Sequence, residues 1–314
     1  MFKRTMLVVV CLAVMASLLA GCSQGSKPAA KQREVVLIVK NLVNPVWVDC
    51  KKAAEEAGAK LGIKVTTLAP TKPDNNEEQL RAIEDSIAKK VDAILLIPAD
   101  TKGIVPGVEK ANAAGIPVFL LGSPIPGGKI VTLIAVDNVE AARSVTDAMA
   151  KKLGGKGKAI ILDGVPGSQS AEDLHKGMME ALKNYPEIVV LTSQTAKFQR
   201  AEAMKVMEDL LQRYPDVTVV FGANDEMALG AIEAIDAAKK SGQIAVSGLD
   251  ANADACKAVD AGKMLMTCDK GWGRTGAIGV EQADKYFKGE KIPERILVPT
   301  AVVDKSNVDK FLKK

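Results

Sequence analysis

Short apolar runs alternate with helical patterns along most of this chain. The runs are rich in Val and Ile, and the segments between them carry apolar residues at helical spacing, as in Ala203, Val206, Met207, Leu210 and Leu211. This alternation predicts parallel sheets whose two faces are covered by helices. We predict strands at 35–39, 65–68, 93–97, 118–121, 130–135, 159–162, 189–193, 217–221, 244–247 and 264–268.

The two halves of the chain repeat one pattern. Residues 93–122 and 219–250 both follow the order strand, acidic turn, helix, Gly-containing loop and strand. About 280 residues are also more than one hydrophobic core usually organises, so we predict two α/β lobes. Ligands of open parallel sheets bind at the carboxyl ends of the strands, and two facing lobes would form a cleft there.

The N-terminus has the pattern of an export signal. Lys3 and Arg4 precede an apolar run from Met6 to Ala20, which is too short for a comfortable membrane span. The sequence Leu-Ala-Gly-Cys at 19–22 resembles the bacterial lipobox, which predicts a signal peptide at 1–21, lipid on Cys22 and a polar tether at 22–33. The alternative is ordinary secretion with an incidental Cys, and both place the mature chain outside the cytoplasm.

Charge and cysteine content exclude several functions. The formal net charge is +4, but the positive residues are interleaved with acidic ones, so we expect no basic face for nucleic acid. Cys50, Cys256 and Cys268 lack metal-ligand spacing and predict either buried thiols or one Cys256–Cys268 disulfide. With His175 as the sole histidine, we predict no metal site, no cofactor and no catalytic triad.

Polar and aromatic residues follow several predicted strands, where a cleft would form. Amides and carboxylates suit hydroxyl-rich ligands, and an aromatic face covers the C–H face of a sugar. Each candidate also has a structural alternative: Asp100 and Asn224 could simply cap helices, the lysines could be rim charges, and Trp47 could be core. The candidates are Lys40, Asn44, Trp47, Asp100, Ser123, Asn224, Asp250 and Lys270.

Several motifs resemble the periplasmic sugar-binding proteins of the ribose-binding type. They include VKNLVNPVWVDCKKAAEEAGAKLG, VDAILLIPAD, KANAAGIPV, VDNVEAA, SGLDAN and AVDAGKM, and the most specific is NDEMALG at 224–230. The resemblance covers the chain from Glu34 onward. It implies a monomeric, two-lobed receptor that is not an enzyme, closes around a solute and delivers it to the permease and ATPase of an ABC importer.

The resemblance also implies three hinge crossovers, near 137/138, 270/271 and 300. The N-terminal lobe would then comprise 34–137 plus 271–300, and the C-terminal lobe 138–270 plus 301–314. By the same resemblance, the residues that stack on or hydrogen-bond the sugar are Asn44, Trp47, Phe198, Asn224 and Asp250.

Other positions depart from ribose binders. Gly122-Ser123 stands where they have Asp-Arg, and Leu174 replaces a second sugar-binding Arg. Lys40 replaces a small polar residue and Lys270 replaces Gln, so two ammonium groups are gained where two guanidinium groups are lost. We therefore expect a small sugar or sugar-like ligand other than ribose, and we hypothesise that it carries a carboxylate or another anionic group, as in a sugar acid. The alternative is a neutral sugar or polyol, with Lys40 and Lys270 as hydrogen-bond donors or rim charges.

Three other functions are compatible with parts of the sequence. A ligand-responsive transcription regulator shares the two-lobed core but needs a helix-turn-helix where the export signal lies. A secreted glycoside hydrolase would use two carboxyls among Asp163, Asp250 and Asp269. A receptor that signals to a chemosensor or sensor kinase is indistinguishable from an importer subunit by sequence.

Overall fold

The computed structural model describes residues 32 to 312. The predicted signal peptide, Cys22 and most of the tether lie outside the described residues, as do residues 313 and 314. In the described part, no helix is both long enough and apolar enough to cross a membrane.

The first sheet of the described range has six parallel strands in the order β11-β5-β4-β3-β1-β2. Its central strands are buried, with apolar clusters on both faces, as expected for a parallel sheet covered by helices. The strands are β1 Glu34–Ile38, β2 Lys64–Leu68, β3 Ala93–Leu96, β4 Val118–Gly122, β5 Leu133–Val136 and β11 Arg295–Val298.

The second sheet has the order β12-β10-β9-β8-β6-β7 and is parallel except at β12. Ala301 of β12 pairs with Asp269, the last residue of β10. The antiparallel direction follows because β11 ends at the cleft edge of the first sheet, and a two-residue link starts β12 at the cleft edge of the second. The strands are β6 Lys156–Asp163, β7 Glu187–Thr195, β8 Val219–Gly222, β9 Ala245–Ser247, β10 Met266–Asp269 and β12 Ala301–Asp304.

Helices connect the strands and cover both sheets. Several begin at a side chain that accepts a backbone N–H of the first turn: Asn44 from Val46 at 3.2 Å and Asn224 from Met227 at 2.9 Å. The helices are α1 Pro45–Leu61, α2 Asn76–Ala88, α3 Val105–Ala113, α4 Asn138–Lys152, α5 Gln169–Leu182, α6 Arg200–Arg213, α7 Asp225–Ala237, α8 Ala253–Asp260, α9 Trp272–Phe287 and α10 Asp309–Leu312.

Each sheet packs with its own helices. Helix α9 packs on α1 and on the first sheet, together with α2 and α3, and we call this lobe 1. Helices α4 to α8 and α10 surround the second sheet, and we call this lobe 2. The two predicted α/β lobes are thus confirmed, while the residue boundaries assigned to them stay a prediction.

An ion pair ties the last two connections between the lobes to each other. Asp269 Oδ1 accepts the backbone N–H of Gly271 at 2.7 Å, and its Oδ2 accepts from Arg274 Nη1 at 2.8 Å. Arg274 Nη2 donates to the carbonyl oxygen of Pro299, also at 2.8 Å. Gly271 is suited to this turn because its φ of 75° lies in the left-handed region.

All ten predicted strands are present, with ends shifted by up to three residues. The prediction missed β11 and β12. Both lie at sheet edges, and each has one fully buried residue, Val298 and Val303 respectively. Each contains only three consecutive apolar residues, at 296–298 and 301–303, and Pro299 lies between them, so neither stretch was identified as a strand.

Candidate ligand-binding site

A cavity of about 300 Å³ lies where the carboxyl ends of the strands of both lobes meet. This is the position expected for a ligand of an open parallel sheet. All the predicted binding residues except Asp100 line it: Lys40, Asn44, Trp47, Ser123, Phe198, Asn224, Asp250 and Lys270.

Asp100 lies outside the cavity lining, on the surface. Its Oδ1 accepts the backbone N–H groups of Lys102 at 2.8 Å and Gly103 at 2.9 Å. The structure thus corrects the assignment of Asp100 to the site, because the carboxylate shapes the turn before α3.

Two tryptophans form an aromatic wall on the lobe 1 side. The rings of Trp47 and Trp272 meet edge to face, with centroids 4.6 Å apart and planes at 68°. The end of β4 leaves room for Trp272, since a Cβ on Gly122 would lie 2.9 Å from its ring. Sequence reasoning missed Trp272 because it follows the second crossover and begins a helix, whereas the candidates were chosen mainly at strand ends.

Phe198 lines the cavity from lobe 2. Its backbone is in the left-handed region, with φ of 60°, and its ring packs directly on the backbone of Gly164. The cavity therefore has aromatic surface on both sides, which is the arrangement that covers the apolar faces of a ring-shaped ligand.

The two amides predicted to bind ligand also cap helices. Since Oδ1 of Asn44 and of Asn224 each accepts a backbone N–H, the side of each amide left for a ligand is its NH₂ group. Asn224 Nδ2 also donates to the carbonyl oxygen of Phe198 at 3.3 Å. The capping and binding interpretations of Asn224 are therefore compatible.

Lys270 and Asp250 form a buried ion pair in the cavity wall. Lys270 Nζ lies 2.9 Å from Asp250 Oδ1, and their side chains are 6% and 4% exposed. Burial raises the pKa of Asp250, and the charge of Lys270 acts against this rise. Lys270 therefore reaches the site with its charge already matched by a carboxylate.

A buried network behind this pair holds Asp250 in a strained conformation. Asp250 and Ala251 have φ values of 130° and 54°, in the region that L-residues disfavour. Asp225 Oδ2 accepts the N–H of Asn252 at 2.8 Å, and Asp225 Oδ1 accepts from Thr267 Oγ1 at 2.5 Å. Thr267 Oγ1 in turn accepts the N–H of Ala251 at 3.2 Å, so the network fixes the loop that carries Asp250.

Burial dominates the electrostatics of Asp225 as well. Loss of water and the neighbouring Asp250 carboxylate raise the pKa of Asp225 to about 8, although its hydrogen bonds and Lys270 oppose the change. Asp225 does not line the cavity, so it acts on the site through the Asp250 loop and not by contact with a ligand.

Lys40 extends across the cavity from lobe 1 to lobe 2. Its Nζ donates to Ser170 Oγ in α5 at 3.3 Å and lies 6.0 Å from the centre of the Trp47 ring. Burial lowers the pKa of Lys40, and the carboxylate of Asp74 opposes that effect. Burial in turn raises the pKa of Asp74, and Lys40 counteracts it, so the second lysine also faces an acid.

The remaining hydrolase candidates point elsewhere. Asp163 contacts His175 and Ser193, with 2.9 Å between Asp163 Oδ1 and His175 Nδ1, and Asp269 is held by the Arg274 contacts given above. Neither residue lines the cavity. Of the two alternatives for the cysteines, the structure has buried thiols: Cys50, Cys256 and Cys268 are buried and form no disulfide.

Two lobes with mostly parallel sheets that meet around one cavity, with aromatic rings and a buried ion pair in its walls, are typical of two-lobed solute-binding proteins. Residues 35–291 match the family model described as a periplasmic binding protein domain, and the chain belongs to this family. The predicted resemblance is thus confirmed, and with it the prediction of a binding protein that is not an enzyme. The family implies an extracytoplasmic location.

Relatives and solved structures agree with this assignment. The chain is 36% identical over 294 residues to the ribose import binding protein RbsB of Escherichia coli, covering 94% of this chain and 98% of the relative. It is 31% identical over 292 residues to the D-allose-binding periplasmic protein of the same species, and the match covers 88% of this chain and 94% of the relative.

Among solved structures, a periplasmic solute-binding protein of an ABC transporter from Actinobacillus succinogenes, with bound D-allose, has a TM-score of 0.85 and 31% identity. The match covers 89% of this chain and 100% of that chain. A solute-binding protein from Bacillus halodurans with bound myo-inositol has a TM-score of 0.83 and 27% identity, and the match covers 90% of this chain and 98% of that chain. The predicted fold class is therefore confirmed.

Proposed function

We propose that this protein captures a small sugar or sugar-like solute outside the cytoplasm and delivers it, as a monomer, to the permease and ATPase of an ABC importer. The observation that carries the proposal is the cavity between the lobes, which combines aromatic walls with amide and charged groups. The relatives support it, since their names include ribose import and D-allose binding. Closure follows because a solute that contacts both walls favours the state in which the lobes are together.

The charges of the site favour a neutral ligand. The sequence suggested an anionic ligand because of Lys40 and Lys270, but Lys270 is paired with Asp250 and Lys40 faces Asp74. An anion would have to compete with these carboxylates for the two ammonium groups. We therefore replace the expected sugar acid by an uncharged carbohydrate or polyol whose hydroxyls bind the paired side chains.

Tryptophan fluorescence offers a direct test, because the chain has two tryptophans and both line the cavity. The full chain, purified in detergent, is titrated with D-ribose, D-allose, myo-inositol and D-glucuronate at low and high salt, with thermal unfolding as a second readout. We expect a neutral sugar or polyol to change the tryptophan fluorescence and to raise the thermal midpoint. This response should be the same at low and high salt. A response to glucuronate alone, lost at high salt, would restore the anionic ligand, and no response to any of the four would overturn the proposal for these sugars.

We also propose that Cys22 carries the lipid that holds the protein at the membrane surface. The support is the sequence Leu-Ala-Gly-Cys after a short apolar run, together with a family of extracytoplasmic proteins. Cells that express the chain are grown with labelled palmitate. The wild type and Cys11→Ser should incorporate label, whereas Cys22→Ser should not; equal labelling of Cys22→Ser would show that the lipid is elsewhere.

Import is distinguished from signalling in the cell. Deletion of the gene should abolish uptake of the labelled sugar that binds in vitro, and restoring the gene should restore uptake. Normal uptake with loss of a transcriptional or chemotactic response to that sugar would instead identify a receptor.

A further inference from the structure

Asn138 is a buried side chain of the cavity that has no role in the site described so far. It is the first residue of α4, directly after Asp137, where the chain passes from the first sheet toward lobe 2. Asn138 is one of the residues that line the cavity, and it is 4% exposed. Within the described residues, its Oδ1 accepts no hydrogen bond.

An amide oxygen in this position is costly to leave without a donor. Buried polar groups nearly always have a partner, and an unsatisfied one loses its interactions with water without replacement. Leu121 and Trp272 also line the cavity; Leu121 has no donor, and the buried indole N–H of Trp272 has no hydrogen-bond partner of its own in the described residues. The cavity is therefore the side from which a donor can reach Asn138.

The neighbouring cap explains why Asn138 is not used by the helix. The side chain of Asp137 already accepts the backbone N–H of Glu140 at 2.9 Å and caps α4. Asn138 Oδ1 is therefore not needed to satisfy the first turn of the helix.

We propose that Asn138 is a further ligand-binding residue, whose Oδ1 accepts a hydrogen bond from a hydroxyl of the solute at the first connection between the lobes. This inference rests on the proposed function, because it takes the solute to be a carbohydrate or polyol. It also assigns specificity: a sugar that lacks the hydroxyl at this position leaves a buried amide unpaired and is rejected, since discrimination is strongest where a site is built to bind a polar group.

Asn76 provides a matched control. It is likewise the first residue of its helix, α2, and its Oδ1 is also buried without a partner in the described part of the chain. Asn76 does not line the cavity. Leu has a shape close to that of Asn, so Asn138→Leu and Asn76→Leu remove the same kind of group at two places that differ in their access to a ligand.

The test is a fluorescence titration of the full-length wild type, N138L, N138A and N76L with D-ribose, D-allose and myo-inositol. For the sugar that the wild type binds best, we expect N138L and N138A to raise Kd at least tenfold, about 1.4 kcal/mol, and N76L to change it less than twofold. The thermal midpoint of the ligand-free N138L chain should not fall, because the change removes an unsatisfied buried group.

Two results would overturn the inference. One is a Kd of N138L and N138A within twofold of the wild type, as expected if water satisfies the amide. The other is a fall in the ligand-free midpoint that accounts for the lost affinity, which would make Asn138 structural. N138A keeps the test decisive if N138L does not fold, because the smaller side chain cannot clash. If the wild type binds none of the three sugars, the proposed function itself fails for them, and the assignment of a sugar hydroxyl to Asn138 fails with it.

Discussion

Lys40 of lobe 1 donates a hydrogen bond to Ser170 of lobe 2 at 3.3 Å, across the cavity. This bond exists only when the two lobes are together, so it favours the state that encloses a solute. The affinity of a ligand for a protein of this class depends on how much of that state is populated. The pair is therefore a place where affinity can be changed through closure.

Ser170→Ala should weaken sugar binding without unfolding the protein. Loss of one hydrogen bond is worth about 0.5 to 1.5 kcal/mol, which corresponds to a roughly two- to tenfold rise in Kd. Ser170→Thr keeps the hydroxyl and should bind within about twofold of the wild type. Tryptophan fluorescence titration measures both. Equal affinity of the Ala and wild-type proteins would show that the Lys40 contact does not contribute to closure.

Lys270→Met should destabilise the protein strongly. It leaves Asp250 buried without its partner, and breaking a buried pair in this way costs about 3 to 5 kcal/mol. The double variant Asp250→Asn, Lys270→Met removes both charges and should regain much of the loss. Urea unfolding of the single and double variants gives the coupling energy.

An exposed pair provides the comparison for Lys270→Met. Lys288 Nζ lies 2.6 Å from Asp284 Oδ2, and the lysine side chain is 57% exposed. Lys288→Met should change the free energy of unfolding by no more than about 1 kcal/mol. If the two Lys→Met variants lose equal stability, the burial of the cavity pair is not the dominant factor.

Asp225→Asn should change how stability depends on pH. The pKa of Asp225 is about 8 in the folded protein against an ordinary value of 3.8. Between these values the folded state holds a proton that the unfolded state has released, so stability falls as pH rises through this window. Asn cannot titrate, and its amide can still accept from Asn252 and donate to Thr267 Oγ1.

The measurement is urea unfolding of the wild type and the Asn variant from pH 5 to pH 9. We expect the stability of the variant relative to the wild type to increase with pH, by more than about 1.4 kcal/mol, the value of one pKa unit. Parallel curves would contradict the raised pKa. Asp225→Leu, which also removes both hydrogen bonds, should bind sugar less tightly than Asp225→Asn because the strained Asp250 loop loses its support.

The buried thiols should be unreactive in the folded protein. Burial raises the pKa of both Cys50 and Cys268 to about 12, and alkylation needs the thiolate. At pH 8 we expect no labelling of Cys50, Cys256 or Cys268 by iodoacetamide, and full labelling in guanidinium chloride. Peptide mapping by mass spectrometry checks each site. Rapid labelling of Cys268 in buffer would show that the end of β10 opens to solvent.

Much of the site was predictable because parallel strands present their carboxyl ends at one edge. Lys40, Asn224, Asp250 and Lys270 were chosen by that rule, and all four line the cavity. Asp100 obeys the same rule but lies on the surface, because pattern alone does not separate a carboxylate that faces the cleft from one that folds back on its own turn.

The missed residues lack a local signal. Asp74 lies in the loop after β2, with its N–H donating to the carbonyl oxygen of Lys40 at 3.2 Å, so its place depends on a contact between distant segments. Ser170 belongs to a helix of the other lobe. The same limit explains the hypothesis of an anionic ligand: the sequence displays the lysines, whereas the ion pair of Lys270 with Asp250 and the electrostatic influence of Asp74 on Lys40 arise only from the fold.

The order of strands has a consequence for how the protein is made. Lobe 1 needs α9 and β11, and lobe 2 needs β12, all from residues 272 to 304. During synthesis, therefore, a ribosome has produced most of the polypeptide before either core can be completed, since Trp272 and Val280 of α9 are part of the cluster beneath α1. A nascent chain with this topology therefore stays incompletely folded until residues 272 to 304 have left the ribosome.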